Sequence, residues 1–550
     1  MGSAQESSVD ALGLSPVRKK VIATGRDVNS VTPHTMQEFM DAMAGGPFDG
    51  AIIGFSVEGD NGVHCSHTSA ANGDVWKKEW FASDVTALKA ARSDTLTDNF
   101  FRVFIAPFPS REGPKATRMA WGDDARWAAL ANNLGVLAWV AKEGGLKGLS
   151  LDPEDYQEIH QFQYLPSDGD YEVTATLARE RGRQVMRAMA TEYPAITIWP
   201  WLFSFRPRVW RTSTPGDAVK AQNDLWIPFA NGLLDELPPG ATIADSNKSY
   251  LFGGQDFQDE AERMRNGYLN LVAPENRAKY KAQMQVVFGI YLDAHINPEG
   301  SKWYRGPVNG SRANGLRQDI ADALDAADEY VWVYGEQGRW TTQARGSRNA
   351  PLWADLMPDV ARIIELAKDP DGQGRRDVEA LRSKGELKNL VLNAGFEGSA
   401  EDGETGAPNL PASWRTWQHE AKHQGVFSLD RSVGYRSGSS ARAAGVGEGC
   451  LIQGFEVKPG EMYAIEAVAL PGGESRCHVD IGWQTPDGNW TLENRNWQIC
   501  FTEGQDDWQE AFGVVTVPAG VGRMQVLLGV LQPGTEDVCW FDNAGVYRLL

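Results

Sequence analysis

Three features of the 550-residue sequence predict a (β/α)8 barrel followed by a β-sandwich. Between Val21 and about Lys368, eight short runs rich in β-branched and aromatic residues alternate with longer stretches of helical period, as a closed parallel barrel requires. From Asn389 onward the helical period disappears, and short alternating runs recur with turn residues between them, the pattern of a sandwich. The chain is also longer than the ~100–250 residues of one compact domain.

The eight runs are Val21–Thr24, Ala51–Ser56, Phe100–Pro107, Gly148–Leu151, Ala195–Trp201, Thr242–Ala244, Val286–Leu292 and Tyr330–Tyr334. Helical period is plainest at Thr35–Ala44, which follows Pro33, at Arg317–Asp328, and at Asp123–Glu143, where Trp127, Leu130, Leu134, Leu137 and Val140 make one apolar stripe. Residues 1–17 are expected to be a disordered or cloning-derived start, 18–368 the barrel, 369–388 a charged linker with one short helix, and 389–550 the sandwich.

A formal net charge of −20 argues against nucleic acid and anionic membranes as partners, because phosphate contacts need clustered Lys and Arg. No apolar run approaches the ~20 residues of a membrane helix. The start carries no signal segment and opens on Met-Gly-Ser, so a secreted, periplasmic or extracellular monomer is expected, its export signal already removed. Cys65 stands alone in the barrel, whereas Cys450, Cys477, Cys500 and Cys539 crowd the sandwich and suggest two disulfides, Cys477 with Cys500 and Cys450 with Cys539. Zinc-type spacing, a phosphate loop and a serine elbow are missing from the sequence, and His64-Cys65-Ser66-His67 cannot converge on one ion, so no catalytic cofactor is expected.

Barrel enzymes place their chemistry at the C-terminal strand ends. Standing there are Arg26 after the first strand, Asp152, Glu154 and Tyr156 after the fourth, and Trp199 and Trp201 on the fifth. Asp245 and Asn247 follow the sixth, Asp293 and His295 the seventh, and Glu336 and Trp340 the eighth. Five carboxylates at one rim exceed what stability asks for, since a buried carboxylate is costly unless paired or working. In Gly148-Leu149-Ser150-Leu151-Asp152-Pro153-Glu154, a period of two turns both acids to one side. Glu154 is assigned as general acid for glycoside hydrolysis and Asp152 as the partner that orients it. The second carboxylate, nucleophile or base, is Glu336 first, Asp293 second and Asp245 third. The remaining rim residues, with Arg206 from the long loop after strand five, are expected to bind substrate. That loop interleaves Arg206, Arg208 and Arg211 with Phe205, Trp210 and Trp226, which suits an anionic or sulfated polysaccharide.

The fourth-strand motif resembles the Asp-x-Glu-Tyr of chitinase-type glycoside hydrolases, with Ser150 where that family carries a further Asp and Pro153 as the middle residue. The resemblance implies O-glycosyl hydrolysis on a TIM barrel. Two alternatives stand beside it: a lyase acting on a uronate polymer, with His295 and Tyr156 as bases, and a non-catalytic polysaccharide-binding protein on a degenerate barrel.

The C-terminal region opens on Asn389-Leu390-Val391-Leu392-Asn393-Ala394-Gly395-Phe396-Glu397, passes through Tyr435-Arg436-Ser437-Gly438 and Val457-Lys458-Pro459-Gly460, and closes on Phe541-Asp542-Asn543. It resembles the jelly-roll carbohydrate-binding modules that bind xylan and β-glucan. That likeness implies a structural calcium held by Glu397 and Asp542, and sugar contact through a subset of Trp414, Trp417, Trp483, Trp490 and Trp497.

Overall fold

The computed structural model describes residues 19–108, 117–154, 160–201, 203, 224–247, 249–342, 349–399, 409–491, 497–504 and 507–550. The chain divides into two compact units, Met1–Gly306 with Gly315–Ile364, and Pro307–Asn314 with Glu365–Leu550.

In the first unit the eight expected runs are the eight strands of a closed parallel barrel: β1 (Lys20–Gly25), β2 (Gly50–Ile53), β3 (Phe100–Phe104), β4 (Gly148–Asp152), β5 (Thr197–Pro200), β6 (Thr242–Asn247), β7 (Met284–Tyr291) and β8 (Tyr330–Gly335). The ring runs β1-β8-β7-β6-β5-β4-β3-β2, so β4 and β8 lie at opposite ends of a diameter. Ile22, Ile52, Phe100, Trp199, Ala244, Val287, Tyr330 and Trp332 fill its interior. Strands and helices alternate through α1 (Met36–Ala42), α2 (Ala82–Ala90), α3 (Asp124–Gly144), α4 (Tyr171–Glu192), α5 (Trp226–Glu236), α6 (Gln255–Arg265), α7 (Arg277–Gln283) and α8 (Arg312–Ala326). The apolar stripe expected at 123–143 is α3. Asp123 caps it by accepting from Arg126 N, and Gly145 ends it in the left-handed region at φ 81°. The chain then continues into α9 (Val360–Lys368).

The second unit contains two antiparallel sheets. One has the order β9-β12-β18-β14-β15, made of Arg415–Gln418, Glu448–Glu456, Arg523–Leu531, Arg476–Gln484 and Trp497–Cys500. The other runs β10-β11-β19-β13-β17-β16, made of Val426–Asp430, Ser440–Ala444, Val538–Arg548, Met462–Gly472, Gln509–Thr516 and Thr502–Glu503. Leu451, Val479, Ile481, Val526 and Leu528 from the first sheet share one apolar core with Ala443, Ile465, Ala467, Phe541 and Val546 from the second. Residues 369–388, read from sequence as a linker, hold the 15-residue helix α10 (Pro370–Lys384). It buries Val378 in a cluster with Met462, Ala464, Val514, Tyr547 and Leu549, and Asp371 accepts from Val514 N at 2.7 Å.

All five cysteines are free thiols, so neither expected disulfide is formed. The reason is strand parity: Leu451 and Ile499 point into the core, which turns Cys450 and Cys500 to the opposite face of their sheet, while Cys539 belongs to the core and Cys477 packs against it.

Candidate active site

At the end of β8, Glu336 projects into the barrel mouth with its carboxylate held on both oxygens. Tyr334 Oη donates to Oε1 at 2.8 Å and Tyr291 Oη to Oε2 at 3.2 Å, while Arg26 Nη2 stands 3.4 Å from Oε1. Burial, then the neighbouring carboxylates Asp293 and Glu336, pushes the Tyr291 hydroxyl well above its usual range, and burial with Glu336 does the same for Tyr334. Both therefore stay protonated and donate. Gly335 is required here by space, since a Cβ would lie 2.1 Å from the Trp353 ring. Arg26 follows Gly25, whose φ of 146° belongs to glycine and whose Cβ would meet Gly335 O at 2.5 Å.

Asp293 is fully buried. Its Oδ2 accepts from Glu336 N at 2.8 Å and its Oδ1 from Gln337 N at 2.9 Å. Burial raises its carboxyl while these two N–H donors pull it back. Because both oxygens are committed to the backbone, Asp293 holds Glu336 in place and is not the nucleophile that the strand-end position suggested.

Across the barrel, Asp152 is buried at the end of β4. Its Oδ2 takes Arg102 Nη2 at 2.7 Å and its Oδ1 takes Glu154 N at 3.0 Å, so the carboxylate fixes the backbone that carries Glu154. The Arg102 guanidinium lies over both Phe104 and Trp201, 4.8 Å from each ring centroid. Behind the tyrosines that hold Glu336 is Tyr250, stacked 4.9 Å from Tyr291 and 6.3 Å from Tyr334 and meeting Trp303 edge-on at 5.6 Å. Burial, then Tyr334 and Glu154, pushes its hydroxyl up, so Glu154 lies near enough for its charge to reach Tyr250. His67 lies beside Phe104, and burial, aided by the Arg102 charge, depresses it to about 4, so the imidazole is neutral at pH 7.

Several expected contacts lie elsewhere. Trp199 packs in the barrel interior against Phe100 at 5.0 Å and Tyr330 at 5.3 Å. Trp201 is buried, its faces taken by Trp332 at 5.0 Å and Arg102, and its Nε1 donates to Ser150 Oγ. Neither indole offers a face to a sugar. Ala244 points into the barrel, so by alternation Asp245 points out, where its charge acts on Tyr268. It is therefore not a rim acid. His295 is buried with Nε2 3.6 Å from Asp319 Oδ2 of α8, and Asp319 is gripped by Arg305 at 2.7 and 2.8 Å, so His295 is turned away from the mouth. Trp340 follows β8, its N–H on Asp27 Oδ2 at 2.7 Å and its ring edge-on to Phe48 at 4.7 Å. Asn247 ends β6. Tyr156 and Arg206, with Arg208 and Arg211, lie outside the described residues. Arg102, Tyr250, Tyr291 and Tyr334 were not foreseen; strand parity shared with Phe100 for Arg102, and with Glu336 for Tyr334, was the available signal.

In the second unit Trp417 and Trp490 are 48% and 54% exposed. Trp417 pairs with the outward Cys450, and Trp490 lies across the outward Gly482, where a Cβ would come within 2.5 Å of its ring. Both thus stand on the outer face of the five-stranded sheet, where Trp417 lines a cavity of about 380 Å³ with Arg476, His478, Asp480 and Gln498. Trp414 and Trp483 are buried in the core, and the Trp497 side chain lies outside the described residues. Asp542 is buried, accepting from Tyr435 N at 2.7 Å, Ser437 Oγ at 3.0 Å and Asn543 N at 2.7 Å. Burial raises its carboxyl, and the charge of Glu397 raises it further. Glu397 Oε2 accepts from Ser439 Oγ at 3.2 Å. Two acids facing one another among hydroxyls suit a hard divalent cation, although no group of three or more His, Cys, Asp or Glu that could hold a metal occurs among the described residues.

No protein-family model and no curated protein matches the chain. Among solved structures it is similar to the enzymatically active domain of tailspike protein 4 of bacteriophage CBA120, at 14% identity over 29% of this chain and 21% of that one, with a TM-score of 0.23. The chain thus spans about a fifth of that protein. It is also similar to the carbohydrate-binding module TmCBM61 in complex with β-1,4-galactotriose, at 16% identity over 30% of this chain and 99% of the module, TM-score 0.21. A third similar structure is an arabinose-bound α-L-arabinofuranosidase, MgGH51, at 14% identity over 30% of this chain and 27% of that one, TM-score 0.21.

Proposed function

We propose that the chain is an exported, monomeric glycoside hydrolase whose (β/α)8 barrel cleaves a polysaccharide with Glu154 and Glu336 and whose jelly-roll module holds the polymer. The observation that carries this reading is the Glu336 carboxylate, bound on both oxygens by phenol hydroxyls and flanked by Arg26 after β8, while Glu154 follows β4 on the opposite side of the ring. Held in place by two phenol hydroxyls and a guanidinium, Glu336 serves as nucleophile or as base toward water. Glu154, set by Asp152 and Arg102, protonates the leaving glycosidic oxygen. A separation of ~5 Å between the two carboxyls would give retention, and one of ~6.5–9.5 Å inversion. Trp303, 37% exposed, offers an apolar ring face to a pyranose. The described cations of the mouth are each matched by an acid, Arg102 by Asp152 and Arg26 by Glu336. Recognition of an anionic or sulfated polymer would therefore fall to Arg206, Arg208 and Arg211. A lyase would need a mobile base, and His295, fixed on Asp319, does not suit that role.

In the second unit Trp417 and Trp490 are the sugar platform, and tethering it to the barrel raises local substrate concentration. Glu397 and Asp542 would hold a structural calcium, which would relieve their mutual repulsion.

The test is Glu154→Gln and Glu336→Gln on a polysaccharide panel, with reducing ends and absorbance at ~235 nm both followed, the latter reporting the unsaturated product of elimination. Each variant should lose at least ~10²-fold in reducing-end release while still binding the polymer. Unchanged product release from both, with binding intact, would remove these residues from the chemistry. A rise in unsaturated product would replace hydrolysis by elimination.

A further inference from the structure

The four cysteines of the second unit are not equivalent. Cys539 lies on the inner face of β19 and is fully buried. Cys477 sits at the start of β14 in the opposite sheet, on the same face as the inward Val479, Ile481 and Trp483, and is only partly buried. The chain carries it there by a short crossing, since only Gly473, Glu474 and Ser475 separate β13 from β14. β13 ends paired to β19, with Pro471 opposite Cys539 and Gly472 opposite Val538. At the crossing, Ser475 Oγ donates to Gly472 O at 2.7 Å and to Val538 O at 3.2 Å. Gln532 Nε2 closes the same corner by donating to Ser475 Oγ and to Ala443 O, each at 3.1 Å, and Ala443 is the other strand partner of Cys539. Two residues past Ser475, Cys477 thus enters the core beside Cys539, near enough for the two thiols to act on one another. The other pairings fail on geometry. Cys450 and Cys500 face away from this core and are separated from one another by β18 and β14, three strand spacings or ~14 Å. Disulfides need Cα atoms within ~7 Å.

We propose that Cys477 and Cys539 form a redox-controlled disulfide that staples the two sheets of the sandwich together. With a small-molecule disulfide as oxidant, the more accessible Cys477 reacts first: its thiolate attacks one sulfur, the small S–S bond breaks, and one small thiolate leaves. Cys539 then releases its proton and attacks the Cys477 sulfur of the mixed disulfide, expelling the second small thiolate. Two protein thiols lose two protons and two electrons, and the small disulfide becomes two thiols.

Full-length protein is incubated with oxidised glutathione, free thiols are blocked with N-ethylmaleimide, and the digest is read by mass spectrometry. The expected result is a cross-linked peptide pair joining Cys477 to Cys539, with Cys450 and Cys500 alkylated, and a higher thermal midpoint for the oxidised protein than for the dithiothreitol-treated one. Cys477→Ser should abolish both the cross-link and the redox dependence of the midpoint. A dominant Cys477–Cys500 or Cys450–Cys539 peptide would overturn the proposal. So would Cys477 and Cys539 both alkylated or glutathionylated after prolonged oxidation of a natively folded chain.

Discussion

Replacing Arg102 by Met removes one half of a buried ion pair while keeping most of the stem that packs between Phe104 and Trp201. The pair is well shielded, with side-chain exposures of 11% for Arg102 and 0% for Asp152 at 2.7 Å. Breaking such a pair from one side costs about 3–5 kcal/mol, because the surviving charge stays buried. An exposed pair would cost under about 1 kcal/mol. Urea denaturation followed by tryptophan fluorescence gives the loss, and Arg102→Met with Asp152→Leu, singly and together, completes a double-mutant cycle. The double variant should recover most of the stability lost by Arg102→Met, for a coupling of at least about 2 kcal/mol. Activity should not return with it, because Asp152 Oδ1 also fixes Glu154 N. A single-variant loss under about 1 kcal/mol, or additive effects, would refute the reasoning. Recovery of activity in the double variant would refute the role given to Asp152.

Three further outcomes follow from acids of the two units. Chelation with EDTA should lower the unfolding midpoint of the sandwich, by the equivalent of about 2.7 kcal/mol if the cation was present at ~100 times its Kd, and Asp542→Asn should abolish the difference. Because burial, then Glu397, raises the folded-state affinity of Asp542 for its proton, the cation-free sandwich should gain stability on mild acidification and lose it as pH rises through that raised value. Asp235 has the opposite sign. Burial pushes its carboxyl up, but hydrogen bonds from Arg179, Asn276 and Arg183 outweigh this and bring it to about 2. Its contribution, about 1 kcal/mol after allowance for solvent screening, is present above the unfolded value of ~3.9 and is lost as pH falls from there to about 2. Acid titration of stability should show this loss in the native chain and not in Asp235→Asn.

The barrel was legible because a strand buried on both faces reads as a compact apolar run, and all eight runs do. Asp152, Glu154 and Glu336 were legible because each stands where such a run breaks. What a strand end does not declare is the direction of a side chain. Asp245 sits beside Ala244, and one position of parity decides between mouth and outer wall. Trp199 and Trp201 share the inward parity, yet aromatic neighbours from distant strands cover both. His295 lies in a 3-10 turn, Leu292–His295, which breaks the period of two on which its placement at the rim rested. For Arg102, the interior position of Phe100 two residues earlier carried the information, but a charge inside an apolar strand is readable only when its acid, fifty residues on, is known. Residues 369–388 carried a helix signature in Asp369 as N-cap, Pro370 in the first turn and Gly385 at φ 72° beyond the last, and the same Gly and Pro content suggested a tether.

That helix decides where the sandwich can be cut. A fragment beginning at Asn389, the first residue of the recognisable repeat, would strip α10 and leave Met462, Ala464, Val514, Tyr547 and Leu549 as an uncovered oily strip, a surface of the kind that draws copies of a protein together. One beginning at or before Glu365 keeps Leu366 and Val378 over that strip, so the recombinant piece that stays in solution is longer than the piece the strand pattern outlines.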